Sequence, residues 1–132
     1  YNANLSAANS LLDVQVGNVI FKAYYRTATT AAVSLRPADG VASVLVDVKR
    51  STQVNSTTDG TSLDNTTLSS EQVVDTLIYT NSQEVHVSRI RQQDPVTGLW
   101  SLCDVNMFMS NNGARTTVWV RWIEDDVEVD GW

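Results

Sequence analysis

The dipeptide Asn112-Gly113, flanked on both sides by alternating apolar residues, constrains the fold of this chain more than any other feature. A two-residue type I′ turn needs positive φ at both central positions, and Asn-Gly is the pair that adopts it most readily. Placing the turn there predicts a β-hairpin over residues 99–124 with a fixed register, in which Asn111 faces Ala114. The pairs predicted on one apolar face are Met109–Thr116, Met107–Val118, Val105–Val120 and Cys103–Trp122.

The other face of this hairpin mixes apolar and charged side chains, whereas the outer face of an ordinary solvated sheet is polar. Its predicted pairs are Phe108–Thr117, Asn106–Trp119, Asp104–Arg121 and Leu102–Ile123. Either a second sheet or the chain's own loops cover this face, or it contacts another copy of the protein, since aromatic, aliphatic and arginine side chains favour subunit interfaces. The second interpretation makes six residues candidates for an interface between copies of the chain: Leu102, Asp104, Phe108, Trp119, Arg121 and Ile123.

Period-two alternation of apolar residues predicts strands through the rest of the chain. The segments are 11–27, with a break or bulge at Gly17-Asn18, then 31–36, 41–50, 71–79 and 85–91. Between residues 51 and 70, eleven of twenty residues are Ser or Thr, which predicts a long surface excursion, with or without a short edge strand inside it. Seven or eight strands and no convincing helix predict an all-β fold, an antiparallel β-sandwich with jelly-roll or Greek-key connections.

The chain is long enough for one domain with a buried core, which we assign to residues 11–132. Residues 1–10 are predicted to be an N-terminal arm or the end of a stalk. Leu5, Ala8 and Leu12 have the spacing of one coiled-coil heptad, but a frayed or strand-like start fits them equally well. Because the sequence has no initiator methionine and no signal-peptide pattern, we expect a fragment of a longer protein.

Charge and composition narrow the possible partners. The net charge of -6 argues against nucleic acids and against anionic membranes, both of which are negative. No apolar run approaches the ~20 residues that a membrane-spanning helix needs. Cys103 is the one cysteine, so an internal disulfide and a cysteine-based metal site are excluded, and its apolar surroundings predict a buried, unreactive thiol. The acidic run 124–130 is interpreted as a solvated tail, and we expect no metal and no cofactor.

Catalysis has little support in the residues. His86 is the only histidine, and it lies in a strand pattern with Ser88 on the same face, which is typical of an ordinary strand residue. Carboxylate pairs for glycoside hydrolysis are possible among fifteen acids, but no spacing selects one. We therefore expect that the chain is not an enzyme.

Arg89 and Arg91 lie on the same strand face as Val85 and Val87, the face expected to point inward. One interpretation is that their stems pack while their charges reach water. The other is that several copies converge, and that Arg89, Arg91 and Arg121 bind a small anion or an acidic side chain at a subunit boundary.

Residues 85–124 (VHVSRIRQQDPVTGLWSLCDVNMFMSNNGARTTVWVRWIE) resemble the C-terminal segments of trimeric tail-needle knobs and tail-fibre heads of tailed bacteriophages. Those segments contain a strand, a Gly-aromatic step, a second strand, an Asn-rich turn and a final strand of V-W-V-x-R type, and they belong to the tumour-necrosis-factor-like jelly rolls. The resemblance implies a homotrimeric knob at the tail tip of a virion, outside cells. It would contact a receptor in the host cell envelope, or plug the tail during genome retention and delivery. Segment 51–70 and the acidic tail depart from this pattern.

Two other classes of function remain open. One is a monomeric carbohydrate-binding β-sandwich, in which Trp100, Trp132 or Tyr24 would stack on the rings of a glycan. The other is a hydrolase on a jelly-roll scaffold.

Overall fold

The computed structural model describes residues 1–78 and 83–128, and every regular element in these ranges is a β-strand. Within them, no helix is present that could cross a membrane. The sequence also predicts a turn at Asn81-Ser82, between the predicted strands 71–79 and 85–91, and this turn lies outside the described residues. In chain order the strands are β1 (Asn2–Ala3), β2 (Leu11–Val16), β3 (Val19–Thr27), β4 (Thr30–Pro37), β5 (Val44–Val54), β6 (Thr57–Leu68), β7 (Gln72–Ile78), β8 (Glu84–Gln93), β9 (Trp100–Ser110) and β10 (Arg115–Val127).

The strands form two antiparallel sheets. The large sheet has the order β1-β10-β9-β8-β5-β6, and the small sheet has the order β2-β3-β4-β7. The prediction of an all-β antiparallel sandwich is confirmed. Strands β2–β4 and β8–β10 are meanders whose successive strands stay in one sheet, so this strand order does not confirm the jelly-roll connectivity.

The hairpin β9–β10 has the register that its Asn-Gly turn predicts. Asn112 and Gly113 have φ values of 56° and 82°, and the Ala114 N–H donates to the Asn111 carbonyl at 3.1 Å. The paired residues are Met109 with Thr116, Met107 with Val118, Val105 with Val120, Cys103 with Trp122, Phe108 with Thr117, Asn106 with Trp119 and Asp104 with Arg121. The predicted pair Leu102–Ile123 is wrong, because an irregularity between Trp122 and Glu124 places Glu124 opposite Leu102.

The core lies between the two sheets. Its large side chains come from both of them: Val14, Phe21, Val33 and Leu35 from the small sheet, and Val46, Ile90, Val105, Met107 and Val118 from the large one. Cys103 is fully buried there, as predicted, and burial raises the pKa of its thiol to about 12. The thiol is therefore protonated at neutral pH and is a poor nucleophile.

The N-terminal arm is strand-like. β1 pairs with β10, and the Leu5 N–H donates to the Gly113 carbonyl at 2.8 Å. Leu5 is fully buried in the core, while Ala8 is exposed and Leu12 lies in β2. These three residues therefore do not form one face of a helix, and of the alternatives left open, the strand-like start is the one found.

Two predictions left alternatives open, and the structure selects one alternative in each. Residues 51–70 do contain an edge strand, but it is long rather than short: β5 runs on to Val54, and β6 returns as a twelve-residue, largely exposed edge strand after a turn at Asn55. Threonine favours strands, and this preference outweighs the lack of large apolar residues. Of the break or bulge predicted at Gly17-Asn18, the break is found: these two residues form the turn between β2 and β3, with Gly17 at φ 63°.

Replacing Gly113 by alanine should lower the free energy of unfolding by about 1–2 kcal/mol, because its φ of 82° is strained for a residue with a Cβ. Chemical denaturation followed by circular dichroism measures the loss. Ala114→Ser in the same turn is the control and should change stability by less than about 0.5 kcal/mol. Equal losses in the free energy of unfolding for the two variants would contradict the cost that we assign to the positive φ at Gly113.

Candidate functional site

One side of the large sheet has no second layer from the described residues. We call it the outer face, and it is formed by alternate residues of three neighbouring strands: Val85, Val87 and Arg89 of β8, Leu102, Asp104, Asn106 and Phe108 of β9, and Thr117, Trp119 and Arg121 of β10. Trp119 is 48% exposed and Val85 is 43% exposed. Ile123, in the irregular part of β10, is 39% exposed. Cover of Val85, Trp119 and Ile123 by the chain's own sheets or loops is therefore not seen in the described ranges, whereas Arg91, at one end of the same face, is buried and contacts Trp100.

The expected orientation of β8 is wrong. Val85 and Arg89 are exposed, whereas Glu84, His86 and Ser88 are fully buried. Local hydrophobicity placed the valines inside, but the inward positions of this strand are occupied by a polar cluster that no local pattern predicts. Arg89 is thus on the outer face because the strand has the opposite orientation, and not because a buried stem reaches water.

The three candidate arginines contact two different carboxylates, because Arg89 and Arg121 lie beside Asp104 and Arg91 lies beside Asp47. Arg89 donates through Nε and Nη2 to the two oxygens of Asp104, at 2.8 and 3.0 Å, and Arg121 Nη2 lies 3.9 Å from the same carboxylate. The hydrogen bonds from Arg89 hold the pKa of Asp104 below its ordinary value. Two cations thus share one anion, so this part of the outer face carries a surplus of positive charge.

Arg91 does not join that group. Its Nη1 donates to Asp47 at 3.1 Å, and its guanidinium lies 3.9 Å from the centre of the Trp100 ring. Arg91 and Asp47 are both buried, so Arg91 belongs to a separate ion pair. An anion at a subunit boundary could be held by Arg89 and Arg121, but not by all three arginines together.

Of the three aromatic residues predicted to stack on sugar rings, the structure describes two, Trp100 and Tyr24. Trp100 is contacted by Arg91, and the Tyr24 ring lies 4.5 Å from Lys22 Nζ, so one side of each ring already contacts a cation. Trp132 lies outside the described residues.

Between the sheets lies a buried polar group that sequence reasoning missed, which we call the inter-sheet cluster: Arg50, Thr52, Asp75, His86 and Ser88. Asp75 reaches across from β7 of the small sheet, and the other four come from β5 and β8 of the large sheet. Asp75 Oδ2 accepts from Thr52 Oγ1 at 2.5 Å and lies 2.8 Å from His86 Nδ1, while Asp75 Oδ1 lies 3.2 Å from Arg50 Nη1. The carboxylate of Asp75 therefore connects β5 and β8 of the large sheet to β7 of the small sheet.

His86 also contacts Ser88, with 2.7 Å between Nε2 and Oγ, which completes the hydrogen-bond order Ser–His–Asp of hydrolytic triads. Ser88 is fully buried, so its hydroxyl is not accessible to a substrate in this structure. Burial lowers the pKa of His86, despite the opposing hydrogen bond to Asp75. Burial alone would raise the pKa of Asp75, but hydrogen bonds from His86 and Thr52 and the charge of Arg50 bring it below its ordinary value. The group thus contains a neutral imidazole beside a carboxylate.

Glu84, at the start of β8, is another acidic side chain buried between the two sheets. Among the described residues, neither of its carboxylate oxygens has a hydrogen-bond partner, and the side chain is fully buried. Burial, with a further contribution from the negative charge of Asp75, raises the pKa of Glu84 from 4.5 to about 7. Glu84 thus titrates near neutrality.

The described ranges contain no group of three or more His, Cys, Asp or Glu side chains arranged to hold a metal ion. We compared the chain with models of protein families, with curated proteins and with solved structures, and found no match in any of the three comparisons.

Asp75→Ala should lower the free energy of unfolding by about 3–5 kcal/mol, because it leaves the buried guanidinium of Arg50 without its interior partner. The matched control is Asp59→Ala, which removes the exposed partner of the same arginine, 3.1 Å from Arg50 Nη1, and should cost less than about 1 kcal/mol. Urea denaturation of both variants tests this ordering, and a reversed order would contradict the role given to Asp75.

Glu84→Gln should change how stability depends on pH. Since the folded-state pKa of Glu84 is raised, the folded protein binds the proton more tightly, and this contribution to stability is lost as the pH rises from 4.5 through 7. Relative to the wild type, the variant should gain about 2–3 kcal/mol on going from pH 5 to pH 8. Urea midpoints at the two pH values give this difference, and a constant difference would contradict the buried, unpaired state of Glu84.

Proposed function

We propose that this chain forms the trimeric head of a fibrous protein at the tail tip of a bacteriophage, and that its copies meet through the outer face. The observation that carries the proposal is the exposure of Trp119 and Val85 in the middle of a long, regular sheet. Resemblance of residues 85–124 to tail-needle knobs and tail-fibre heads adds the number of copies and the place in the virion.

The apolar part of the outer face is continuous across three strands. Val85 is paired with Phe108 of β9, and Phe108 with Thr117 of β10; one step along, Val87 is paired with Asn106 and Asn106 with Trp119. Trp119, Phe108 and the two valines thus lie in adjacent positions. Central, largely apolar groups that include an aromatic anchor are typical of surfaces that bind another protein chain.

Charge favours a second copy of this chain as the occupant. The outer face has surplus positive charge at Arg89 and Arg121, although the chain as a whole has a net charge of -6. Exposed acids follow on the last part of β10 and just beyond it, at Glu124 and Glu128. A neighbour could place these acids against the arginines, which is a head-to-tail contact. Contacts of this kind close into rings, and a ring of three fits the resemblance.

In this proposal the head binds and catalyses no reaction. Three weak sites on one rigid body bind a surface with far higher avidity than one site, so each can be of modest affinity. The head would contact the host cell envelope, or close the tail until the genome is delivered. A head of this kind does not need the strand connectivity of the tumour-necrosis-factor-like jelly rolls. In the meanders β2–β4 and β8–β10 successive strands stay in one sheet, so that connectivity is not part of the proposal.

Light scattering coupled to size-exclusion chromatography should give the mass of three chains for the wild type and of one chain for Trp119→Asp. The substitution places a charge at the centre of the apolar group while the fold is kept, since Trp119 is half exposed in the single chain. Val96→Asp is the control, because Val96 is 92% exposed in the β8–β9 loop, and this variant should keep the wild-type mass.

A wild-type mass of one chain over the micromolar range would overturn the proposal. The same holds if Trp119→Asp remains a trimer with an unchanged circular dichroism spectrum, because the outer face would then not be the contact.

A further inference from the structure

A small cleft of about 170 Å³ opens on the opposite side of β10 from the outer face. Trp122 is on this side because it is paired with Cys103, whose side chain points inward. The remaining walls come from the β2–β3 turn, the end of β8 with the residue after it, and the paired ends of β9 and β10. Besides Trp122, the side chains that matter here are Asn18, Gln92, Asp94, Ser101 and Asp125.

The floor of the cleft is held rigidly. Gln92 is buried, accepts from the Asn18 N–H at 2.8 Å and donates to the Val16 carbonyl at 2.8 Å. Gly17, in the same turn, has a φ of 63°, and a Cβ there would lie only 2.8 Å from the Gln92 side chain. The turn and the glutamine thus fit each other closely, and the cleft is formed before any ligand arrives.

Two carboxylates line the cleft. Asp94 accepts hydrogen bonds from the backbone N–H groups of Val96 and Thr97, at 2.7 and 3.1 Å, which lower its pKa. Asp125 accepts from Ser101 Oγ at 2.9 Å. A carboxylate has about four acceptor positions, so each can accept further hydrogen bonds from a ligand. The negative charge of these two groups disfavours an anionic ligand.

Trp122 supplies the apolar surface. Its side chain is 43% exposed, although it is on the inward-pointing side of its strand. A flat ring beside several hydrogen-bond acceptors suits a ligand with one apolar face and a rim of hydroxyl donors. Among biological ligands this describes a pyranose sugar, whose ring C–H groups pack on an indole while its hydroxyls donate to carboxylates. The size of the cleft limits the ligand to a single ring.

We propose that this cleft binds one neutral hexopyranose unit at the end of a glycan, with the ring stacked on Trp122 and hydroxyls donating to Asp94 and Asp125. Neither Trp100 nor Tyr24 takes part. The proposal rests on the cleft alone and holds for a single chain or for a trimer.

The test uses ¹⁵N-labelled full chain and four probes: the methyl glycosides of D-glucose, D-galactose, D-mannose and N-acetyl-D-glucosamine. At least one should shift the indole N–H signal of Trp122, with a dissociation constant on the order of 1 mM for a single ring. The methyl glycoside of D-glucuronic acid should not bind, because its carboxylate meets Asp94 and Asp125.

Variants at Trp122 and Trp119 form a matched pair, since both tryptophans are on β10 and are exposed to a similar extent, but on opposite sides. Trp122→Ala should weaken binding at least tenfold, Trp122→Phe should retain most of it, and Asp125→Asn should weaken it several-fold. For the alanine variant, saturation-transfer NMR on the sugar replaces the indole signal. Trp119→Ala should bind the sugar as the wild type does.

Failure of all four neutral glycosides to bind would overturn the proposal, and so would wild-type affinity in Trp122→Ala. These outcomes are separate from those of the assembly experiment, because Trp122→Ala should keep the mass of the wild type while losing the sugar. Trp119→Asp should do the reverse.

Discussion

The contact of Asp75 with His86, Thr52 and Arg50 determines how the two sheets sit on each other. Apolar side chains in a core tolerate small sliding movements, because their attraction has little direction. Hydrogen bonds to a buried carboxylate do not, since a misplaced donor leaves a buried charge unsatisfied. The small sheet is therefore held in one position over β5 and β8. In this position the small sheet covers one side of the large sheet, and the described residues provide no second layer on the opposite side, which is the outer face.

Local chemistry predicted the last third of the chain well. The Asn-Gly turn needs no information beyond its own backbone, and the strand register follows from it as far as the pair Cys103–Trp122, beyond which an irregularity in β10 shifts the pairing. The orientation of β8 was not predictable in this way. His86 is inside because Asp75, eleven residues earlier, faces it from the other sheet, and a pairing of this kind leaves no trace in the spacing of apolar residues. The same is true of β6, where threonine replaces the usual valine. Sequence reasoning did find the mixed face of the hairpin and Asp104, but not the cleft, whose walls come from four separate segments.

β10 connects the two proposals. Trp119 and Trp122 are three residues apart, and the alternation of a strand directs them to opposite sides of the same sheet. In the two proposals, one strand thus presents an aromatic ring to a neighbouring copy and another to a small ligand. The acidic residues at the end of β10 have a part in both proposals. Asp125 lines the cleft, whereas the exposed Glu124 and Glu128 would contact the arginines of another copy. Assembly and ligand binding are therefore expected to be separable by single substitutions, although they share an element.

The long strand β6 lies at one edge of the large sheet, where further molecules could add to the sheet. Within the described residues, β6 pairs with β5 along one edge only, so its other edge could recruit the same strand of another molecule and continue without limit, as in fibrils. Several features oppose this: exposed carboxylates at Asp59 and Asp64, a left-handed residue at Asn65, and the irregular pairing with β5 between Val46 and Val48. At the opposite margin, β1 is only two residues long and pairs with Thr116 and Thr117, and the rest of β10 has irregular pairing after Trp122 and exposed acids at Glu124 and Asp125. Both margins of the large sheet thus have features that oppose lateral polymerisation.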